Sequence, residues 1–320
     1  MGSFWSERRV LVTGGSGFIG YALARKLLDE GARVSILDIR PLPKYATKEE
    51  KKALRFVKGS VKNEKIVGAV LKKERIQTVF HLAAEAIVGK AHEAPAEALD
   101  TNIRGTWVLL EAIRAAFPSI EVVVASSDKA YGSHAKLPYK EEAPLYGVNP
   151  YDVSKSAADL VANSYAKTYG LHLAIARCGN VYGPGDLNWS RLIPDALRCL
   201  AKNKTLKLRS NGKYARDYVY IDDIVCAYMV LGAHIGKKKM HGDAYNFGTN
   251  SPLTVIEVLS ALEKAAGKRV TYSVLDKAHY EIQKQYLDSS KAKERLHWVP
   301  AVSRSDGMKR TADWYRGYAD

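Results

Sequence analysis

Three side chains that exchange protons readily stand next to one another in the stretch ASSDKAYG, which runs from Ala125 to Gly132. A hydroxyl, a carboxylate and an amine follow in order at Ser127, Asp128 and Lys129, directly after the apolar run 121–124. Such crowding of reactive groups at the end of a predicted strand calls for a chemical explanation.

A second reactive pair lies in the segment NPYDVSKSAADL, where Tyr151 and Lys155 are four residues apart and share one face of a predicted helix. A tyrosine with an ordinary pKa of about 10 is a poor base at neutral pH, and a neighbouring ammonium lowers that pKa. Such a pair takes a proton from a hydroxyl while a nicotinamide oxidises the carbon. A packed tyrosine beside a surface lysine is the alternative.

A glycine-rich loop lies near the start of the sequence. The segment VLVTGGSGFIG places Gly14, Gly17 and Gly20 three residues apart, after a predicted strand and at the start of a predicted helix. Small residues let the backbone approach a pyrophosphate, which the amides of the helix start then bind. Asp38 ends the next strand, where a carboxylate takes both hydroxyls of an adenine ribose. The loop predicts NAD as cofactor, while Arg40 leaves NADP open; a tight turn without a ligand is the alternative.

The pattern of apolar residues predicts the elements that position these side chains. Predicted strands are 9–13, 33–37, 55–57, 78–82, 121–125 and 172–176, and predicted helices are 20–30, 63–74, 103–116, 154–169 and 191–201. This alternation is typical of an α/β fold with a doubly wound parallel sheet of Rossmann type. We expect residues 1–179 to form the NAD-binding domain with the catalytic residues. Residues 180–320 are expected to form mainly a smaller α/β substrate lobe, with some segments returning to the Rossmann sheet.

Eight motifs spread over nearly the whole chain resemble the extended short-chain dehydrogenases/reductases, in particular the NAD-dependent epimerase/dehydratase family that acts on nucleotide sugars. They are TGGSGFIG (13–20), HLAAE (81–85), NIRGT (102–106), SSDKAYG (126–132), YDVSK (151–155), RCGNVYGPGD (177–186), RDYVYIDD (216–223) and NFGT (246–249). One departure is Gly59-Ser60-Val61, where the family usually has an aspartate that meets the adenine.

The resemblance gives the clustered side chains catalytic roles. Ser127 would hydrogen-bond O4 of the sugar beside Tyr151, with Lys155 supporting the tyrosine. A 4-epimerase needs no more, because it only oxidises and reduces C4. A 4,6-dehydratase must also remove the C5 proton and protonate the departing C6 hydroxyl, and Asp128 and Lys129 are placed to be that acid and base. Lys129 is a base only if desolvation or a nearby cation lowers its pKa by several units.

The Asp-Lys pair resembles the CDP-glucose 4,6-dehydratase branch, whereas many 4,6-dehydratases carry Asp-Glu or Ser-Glu there. The loop GPGDLNWSRLIPD (183–195) resembles that branch too. The expected function is therefore a nucleotide-sugar 4,6-dehydratase that forms a 4-keto-6-deoxyhexose. A 4-epimerase, in which Lys129 faces solvent or contacts an anion, is the alternative. A non-catalytic NAD-sensing or nucleic-acid-binding protein of the same fold is a further one.

The resemblance also implies binding residues and a homodimer, through the helices that begin near Asn102 and Tyr151. Predicted NAD contacts are Gly14, Gly17, Phe18, Ile19, Gly20, Asp38, Ile39, Arg40, Ser60, Val61, Leu82, Ala83, Ala84, Asn102, Tyr151 and Lys155. Predicted substrate contacts are Glu85, Ser127, Asn180, Arg191, Leu192 and Arg216. Asn180, Arg191 and Arg216 would hold the diphosphate, since guanidinium groups match phosphate oxygens. Glu85 would face the substrate or close its own loop.

The formal charge of +15, from 49 basic and 34 acidic residues, favours an anionic partner. The basic residues are dispersed, with small clusters at 72–73, 202–207 and 237–239, and none is interleaved with aromatic residues as in RNA-binding modules. A nucleotide sugar is therefore the expected partner rather than nucleic acid.

Apolar runs and cysteines set the remaining expectations. No run approaches the roughly 18 apolar residues of a membrane helix, and no apolar signal core precedes the first strand, so we expect a cytoplasmic protein without a membrane partner. Cys178, Cys199 and Cys226 lack the spacing of metal ligands. We therefore expect no metal and reduced thiols packed as small apolar side chains.

Overall fold

A computed structural model describes residues 4–236, 240–277 and 281–318 of the chain. In chain order the strands are β1 (Arg9–Thr13), β2 (Arg33–Asp38), β3 (Arg55–Lys58), β4 (Thr78–His81), β5 (Glu121–Ser127), β6 (Leu173–Cys178), β7 (Asn180–Tyr182), β8 (Leu206–Leu208), β9 (Ala215–Arg216), β10 (Tyr218–Tyr220), β11 (Ala244–Phe247), β12 (Leu253–Thr254), β13 (Tyr272–Val274) and β14 (Lys284–Gln285).

Seven of these strands form the central sheet, in the order β11-β6-β5-β4-β1-β2-β3. Every neighbouring pair is parallel. The chain runs outward from β1 to β3 and then returns to β4 on the other side of β1, and such a switch point opens a crevice at the carboxyl ends of the strands. The predicted fold class is confirmed, and each predicted strand ends within two residues of the observed one.

The helices are α1 (Phe18–Asp29), α2 (Lys48–Ala53), α3 (Glu64–Lys73), α4 (Val88–Glu93), α5 (Pro95–Leu99), α6 (Gly105–Ala116), α7 (Pro150–Tyr169), α8 (Leu192–Ala201), α9 (Ile221–His234), α10 (Val255–Ala266), α11 (Ser290–Leu296) and α12 (Arg304–Tyr318). Four predicted helices match α1, α3, α7 and α8 to within about one turn. The predicted helix 103–116 matches α6 to within two residues, and Asp100–Arg104 forms a π-helical turn directly before it. Turns of this kind often mark functional sites.

The sheet is covered on both faces. Val10 and Val12 of β1 lie in one apolar cluster with α1 and α9, whereas Leu11 lies in a second cluster with α3, α6 and α7. All three side chains are fully buried. Alternation follows from the period of two in a strand, and burial on both faces explains why the strands read as runs of apolar residues. The packed sheet gives the loops at its carboxyl edge a rigid base.

The chain beyond residue 179 contributes to two places. β9 pairs with β12 and β14, β7 with β10, and β8 with β13, and these small sheets lie with α8, α10 and α12 outside the central sheet. β11 joins the edge of the central sheet beside β6, and α9 packs against β4, β5 and β6. The division into domains 1–179 and 180–320 stays a prediction.

Three further features concern partners and thiols. In the described ranges, no helix has both the length and the apolar composition to span a lipid bilayer. Cys178 and Cys199 are buried, but Cys226 is exposed, so the prediction that all three pack as apolar side chains is wrong for Cys226, which lies on the outer face of α9. The predicted basic cluster 237–239 lies outside the described residues.

Candidate active site

The end of β5 brings the predicted catalytic residues together. Ser127 is the last residue of β5, and a 3₁₀ turn from Asp128 to Tyr131 follows at once. Ser127 caps this turn, because its Oγ accepts the main-chain N–H of Lys129 at 3.2 Å. α7 packs on both β5 and the turn. Residues from two separate stretches of sequence therefore meet at the carboxyl edge of the sheet.

Tyr151 and Lys155 lie on the buried face of α7 and form what we call the oxidation corner. Tyr151 is hydrogen-bonded to Ser127, and Lys155 Nζ donates to the carbonyl of Ala125 at 3.1 Å. Burial raises the pKa of Tyr151 to about 12, against the opposing effects of the Arg191 charge and the Ser127 hydrogen bond. Burial likewise lowers the pKa of Lys155 to about 8. The predicted lowering of the tyrosine pKa is not found, because burial disfavours the charged form of both groups.

Asp128 and Lys129 form a second cluster, the elimination corner. Asp128 is 1% exposed. Its Oδ1 accepts from Ser127 Oγ at 3.1 Å, and its Oδ2 has no hydrogen-bond partner among the described residues. Burial raises the pKa of Asp128. Burial and the charge of Arg216 lower the pKa of the half-buried Lys129 to about 8. Asp128 is thus shifted towards an acid and Lys129 towards a base, as paired acid/base chemistry needs.

Two residues of the second lobe complete the elimination corner. Arg216 on β9 is buried and is the register partner of Gln285 on β14. Gln285 Oε1 accepts from Lys129 Nζ, and Gln285 Nε2 donates to the main-chain carbonyl of Asp128. Sequence reasoning missed Gln285. Its segment forms a two-residue strand, which leaves no periodic signal in the sequence.

The predicted diphosphate residues include two arginines that lie near the catalytic residues and are each paired with a carboxylate. Arg191 precedes the first turn of α8 and pairs with Asp186, with Nη1 3.0 Å from Oδ2. The positive charge of Arg191 opposes the burial that raises the pKa of Tyr151, and that of Arg216 adds to the burial that lowers the pKa of Lys129. Asn180 on β7 is hydrogen-bonded to Tyr218. Leu192, the first residue of α8, packs against the first apolar cluster. Two guanidinium groups near the catalytic residues suit an anionic substrate.

The glycine loop fits a dinucleotide. A Cβ on Gly14, where φ is +70°, would lie 2.7 Å from the nitrogen of Ala83, and one on Gly20 would lie 2.3 Å from the oxygen of Gly14. α1 has no side-chain cap at Gly17 and no acidic residue in its first turn. Its first N–H groups therefore remain available for a pyrophosphate. The predicted contacts Phe18, Ile19, Leu82, Ala83 and Ala84 are partly buried.

The end of β2 is fixed next to this loop. The carboxylate of Asp38 accepts the main-chain N–H of Ser16 at 3.0 Å and that of Arg40 at 2.9 Å. The Nε of Arg40 lies 3.9 Å from Asp38 Oδ1. Ile39 is 64% exposed. These contacts hold the carboxylate against the loop, where a ribose of the cofactor is expected.

Asn102 and Glu85 support the site from behind. Asn102 Nδ2 donates to the carbonyl of Glu85 at 3.1 Å and to Ser154 Oγ at 2.8 Å, and its Oδ1 accepts the N–H of Glu85 at 2.7 Å. The carboxylate of Glu85 accepts the N–H of Ile87 at 3.0 Å. Asn102 thus ties the loop after β4 to α7, and its contact with NAD stays a prediction. Glu85 closes its own loop, which is one of the two roles predicted for it.

The stretch Gly59-Ser60-Val61, which departs from the family pattern, is partly buried. Val61 is buried in the second apolar cluster, where a Cβ on Gly105 would lie 2.7 Å from it. Ser60 Oγ accepts the N–H of Lys62 at 3.2 Å. The Val61 side chain therefore packs α6 against the sheet, and the contact of Ser60 and Val61 with NAD stays a prediction.

Fold and site together define a nicotinamide-dependent enzyme of the short-chain dehydrogenase/reductase class. The family model described as GDP-mannose 4,6 dehydratase matches residues 11–311. The chain therefore belongs to this family of NAD-dependent nucleotide-sugar dehydratases and epimerases, as its motifs predicted.

Relatives of both activities are equally similar. The dTDP-glucose 4,6-dehydratase of Xanthomonas campestris is 31% identical over 95% of this chain and 92% of its own length. The UDP-glucuronate 4-epimerase of Thermodesulfobacterium geofontis is 31% identical over 95% of each chain. A trifunctional UDP-glucose 4,6-dehydratase/UDP-4-keto-6-deoxy-D-glucose 3,5-epimerase/UDP-4-keto-L-rhamnose-reductase of Arabidopsis thaliana is 30% identical over 97% of this chain, which spans about half (47%) of that protein.

Solved structures of a dehydratase and of an epimerase are also equally similar to this chain. The dTDP-glucose 4,6-dehydratase of Streptomyces venezuelae, solved with NAD, has a TM-score of 0.86 at 31% identity and covers 97% of each chain. The UDP-glucose 4-epimerase of Thermotoga maritima, solved with UDP-glucose, has a TM-score of 0.86 at 30% identity and covers 97% of this chain and 99% of its own. These relatives are nucleotide-sugar 4,6-dehydratases and epimerases, several of them solved with NAD, and the predicted cofactor is confirmed.

Proposed function

We propose that the protein is a 4,6-dehydratase that converts a CDP-glucose-like nucleotide sugar into the 4-keto-6-deoxyhexose. The observation that carries this proposal is the elimination corner beside Ser127 and Tyr151. An epimerase needs proton transfer only at O4, for which Ser127 and Tyr151 suffice. A second pair, with the pKa of the acid raised and that of the base lowered, suits the removal of water.

The residues of the chain divide the work between the two corners. NAD, when bound, takes up the hydrogen removed from C4 and supplies it to C6. Ser127 holds O4 by a hydrogen bond, and Tyr151 takes the O4 proton in its phenolate form, which the charge of Arg191 and the hydrogen bond of Ser127 favour against burial. Once C4 is a ketone, the C5 proton is acidic, and Lys129 in its neutral form removes it. Asp128 protonates the C6 hydroxyl, which leaves as water.

The proton balance of this sequence closes. The proton that Lys129 took from C5 is returned there when C6 is reduced. The proton released from O4 balances the one that Asp128 gave to the departing hydroxyl. The net change is the loss of one water, with the hydrogen of C4 moved to C6 and the cofactor restored. Lys129 must be neutral and Asp128 protonated at the start, so the rate of water loss should depend on pH through the pKa values of both groups.

The choice of a cytidine nucleotide rests on sequence resemblance. The Asp128-Lys129 pair and the loop 183–195 resemble the CDP-glucose branch, and Arg191 and Arg216 are the proposed diphosphate contacts. The 4-epimerase is the alternative, because relatives of that activity are as similar as the dehydratases. In that alternative Lys129 would not act on the sugar. It does not simply face solvent, however, since its Nζ donates to Gln285.

A substrate panel tests the proposal. The purified protein and NAD are incubated separately with CDP-, dTDP-, UDP- and GDP-hexoses, and the products are followed by mass spectrometry. Loss of the mass of one water from the cytidine sugar is the expected result. Water loss from another sugar would keep the dehydratase and correct the nucleotide. An unchanged mass with a new C4 stereoisomer would establish an epimerase.

Lys129→Met tests the role of the base. We expect C4 oxidation to continue, so that reduced cofactor accumulates, while water loss falls by roughly 10²–10⁴-fold. Lys136→Met is the matched control, because Lys136 is an exposed lysine seven residues further on. Water loss at the wild-type rate in Lys129→Met would remove the elimination corner from the mechanism.

A further inference from the structure

Gln285 links the two members of the elimination corner. It is the last residue of the two-residue strand β14 and is fully buried. Its amide is used at both ends, because Oε1 accepts from Lys129 Nζ and Nε2 donates to the carbonyl of Asp128. One side chain from the second lobe therefore contacts both residues that follow Ser127, although it lies more than 150 residues away in sequence.

The chemistry of an amide suits this position. A neutral amine has two N–H groups and one lone pair, so fixing one N–H to Gln285 limits the directions in which the lone pair points. The amide carbonyl accepts from the amine without adding a charge, whereas a carboxylate in its place would favour the ammonium. The groups that face Lys129 electrostatically are Arg216, Asp128, Asp152 and Glu281.

We infer that Gln285 is a positioning residue for water elimination, which holds the Lys129 amine and the Asp128 main chain in place for reaction at C5 and C6 without adding a charge. The inference rests on the proposed dehydratase function. It also ties that step to the substrate lobe, because Gln285 and Arg216 are register partners on β14 and β9. The strand pair that would contact the diphosphate thus also sets the direction of the base.

Gln285→Glu tests the inference. It keeps the shape of the side chain but removes the N–H that donates to the Asp128 carbonyl and places a carboxylate against Lys129, so the base becomes neutral only at higher pH. Below that pKa, the rate of water loss should fall about tenfold for each unit by which the pKa rises. The rate should recover in part as the pH is raised, and C4 oxidation, followed as reduced cofactor in a single turnover, should continue. Gln283→Glu is the control, since Gln283 is exposed two residues earlier in the same segment.

Gln285→Met separates positioning from charge. It removes both hydrogen bonds and adds no charge, so the ratio of water loss to C4 oxidation should fall at least tenfold at every pH, without a shift of the pH profile. An unchanged ratio in Gln285→Met, or a pH profile of Gln285→Glu that matches that of Gln283→Glu, would overturn the inference. Either result would leave water loss by the wild-type protein intact. Absence of water loss in the wild type would instead overturn the proposed function, and the inference with it.

Discussion

The two corners of the site each contain a lysine whose pKa is lowered, but different groups hold the two lysines in place. Burial lowers the pKa of both Lys155 and Lys129 to about 8. Lys155 is held by a main-chain carbonyl of β5, on a helix that packs directly on that strand. Lys129 is held by the side chain of Gln285, and the positive charge of Arg216 adds to the effect of burial.

This difference separates the two chemical steps. The oxidation corner depends on β5 and α7, which belong to the first half of the chain. The elimination corner also needs β9 and β14, which come from the substrate lobe. A change at Gln285 on β14 should therefore affect water loss and spare C4 oxidation, whereas a change at Tyr151 on α7 should stop both. Single substitutions on each side of this division test whether it holds.

Tyr151→Phe should have the largest effect, because it removes the group that takes the O4 proton. C4 oxidation and water loss should both fall by roughly 10²–10⁴-fold. Single-turnover formation of reduced cofactor measures the first step, and mass spectrometry measures the second. Retained oxidation in this variant would mean that another group takes the O4 proton and that the oxidation corner is wrongly assigned.

Arg216→Met should have an intermediate effect that is confined to the substrate lobe and the elimination corner. Losing a charge-assisted contact worth about 1.5–3 kcal/mol should raise the KM for the nucleotide sugar at least tenfold. The pKa of Lys129 should rise as well, because the cation that lowers it is gone. The pH at which water loss becomes half-maximal should therefore move upward.

Arg209→Met is the control for this variant, since Arg209 is an exposed arginine that follows β8. Steady-state kinetics over a pH series give both the KM and the pH profile. An Arg216→Met protein with the KM and profile of the control would contradict the electrostatic link between the lobe and the base.

Leu160→Glu should have the smallest effect on chemistry. We propose a homodimer through α6 and α7, because Leu160 on the outer face of α7 is 59% exposed. A charge at Leu160 should give a monomeric mass in light scattering and change turnover by only about twofold, since the catalytic side chains lie on the opposite, buried face. Val299→Glu, a similar change at an exposed residue elsewhere, should leave the mass unchanged. A monomeric wild-type protein would contradict the proposal.

The cofactor loop and the oxidation corner could be predicted from sequence because short, continuous motifs encode them. Each motif has a spacing that fixes its own helix or strand, as for Gly14, Asp38, Tyr151 and Lys155. The side chains then meet because carboxyl ends of parallel strands share one edge of the sheet. For the same reason, the fold class and the order of elements followed from periodicity alone.

Contacts made over long distances in sequence could not be predicted. Gln285 belongs to a two-residue strand without any periodic signal, and its role appears only when β14 pairs with β9. Likewise, the π-helical turn directs the amide of Asn102 to Glu85 and Ser154. The raised pKa of Tyr151 depends on burial, which the spacing of Tyr151 and Lys155 does not reveal.

The most direct test of the dehydratase follows one hydrogen atom. The nucleotide sugar that the panel identifies is prepared with deuterium at C4 and incubated with the protein and NAD, and the product is examined by mass spectrometry and NMR. The account predicts a product that has lost one water and carries the deuterium at C6. A product of unchanged mass with the deuterium still at C4 would contradict it and would leave an epimerase.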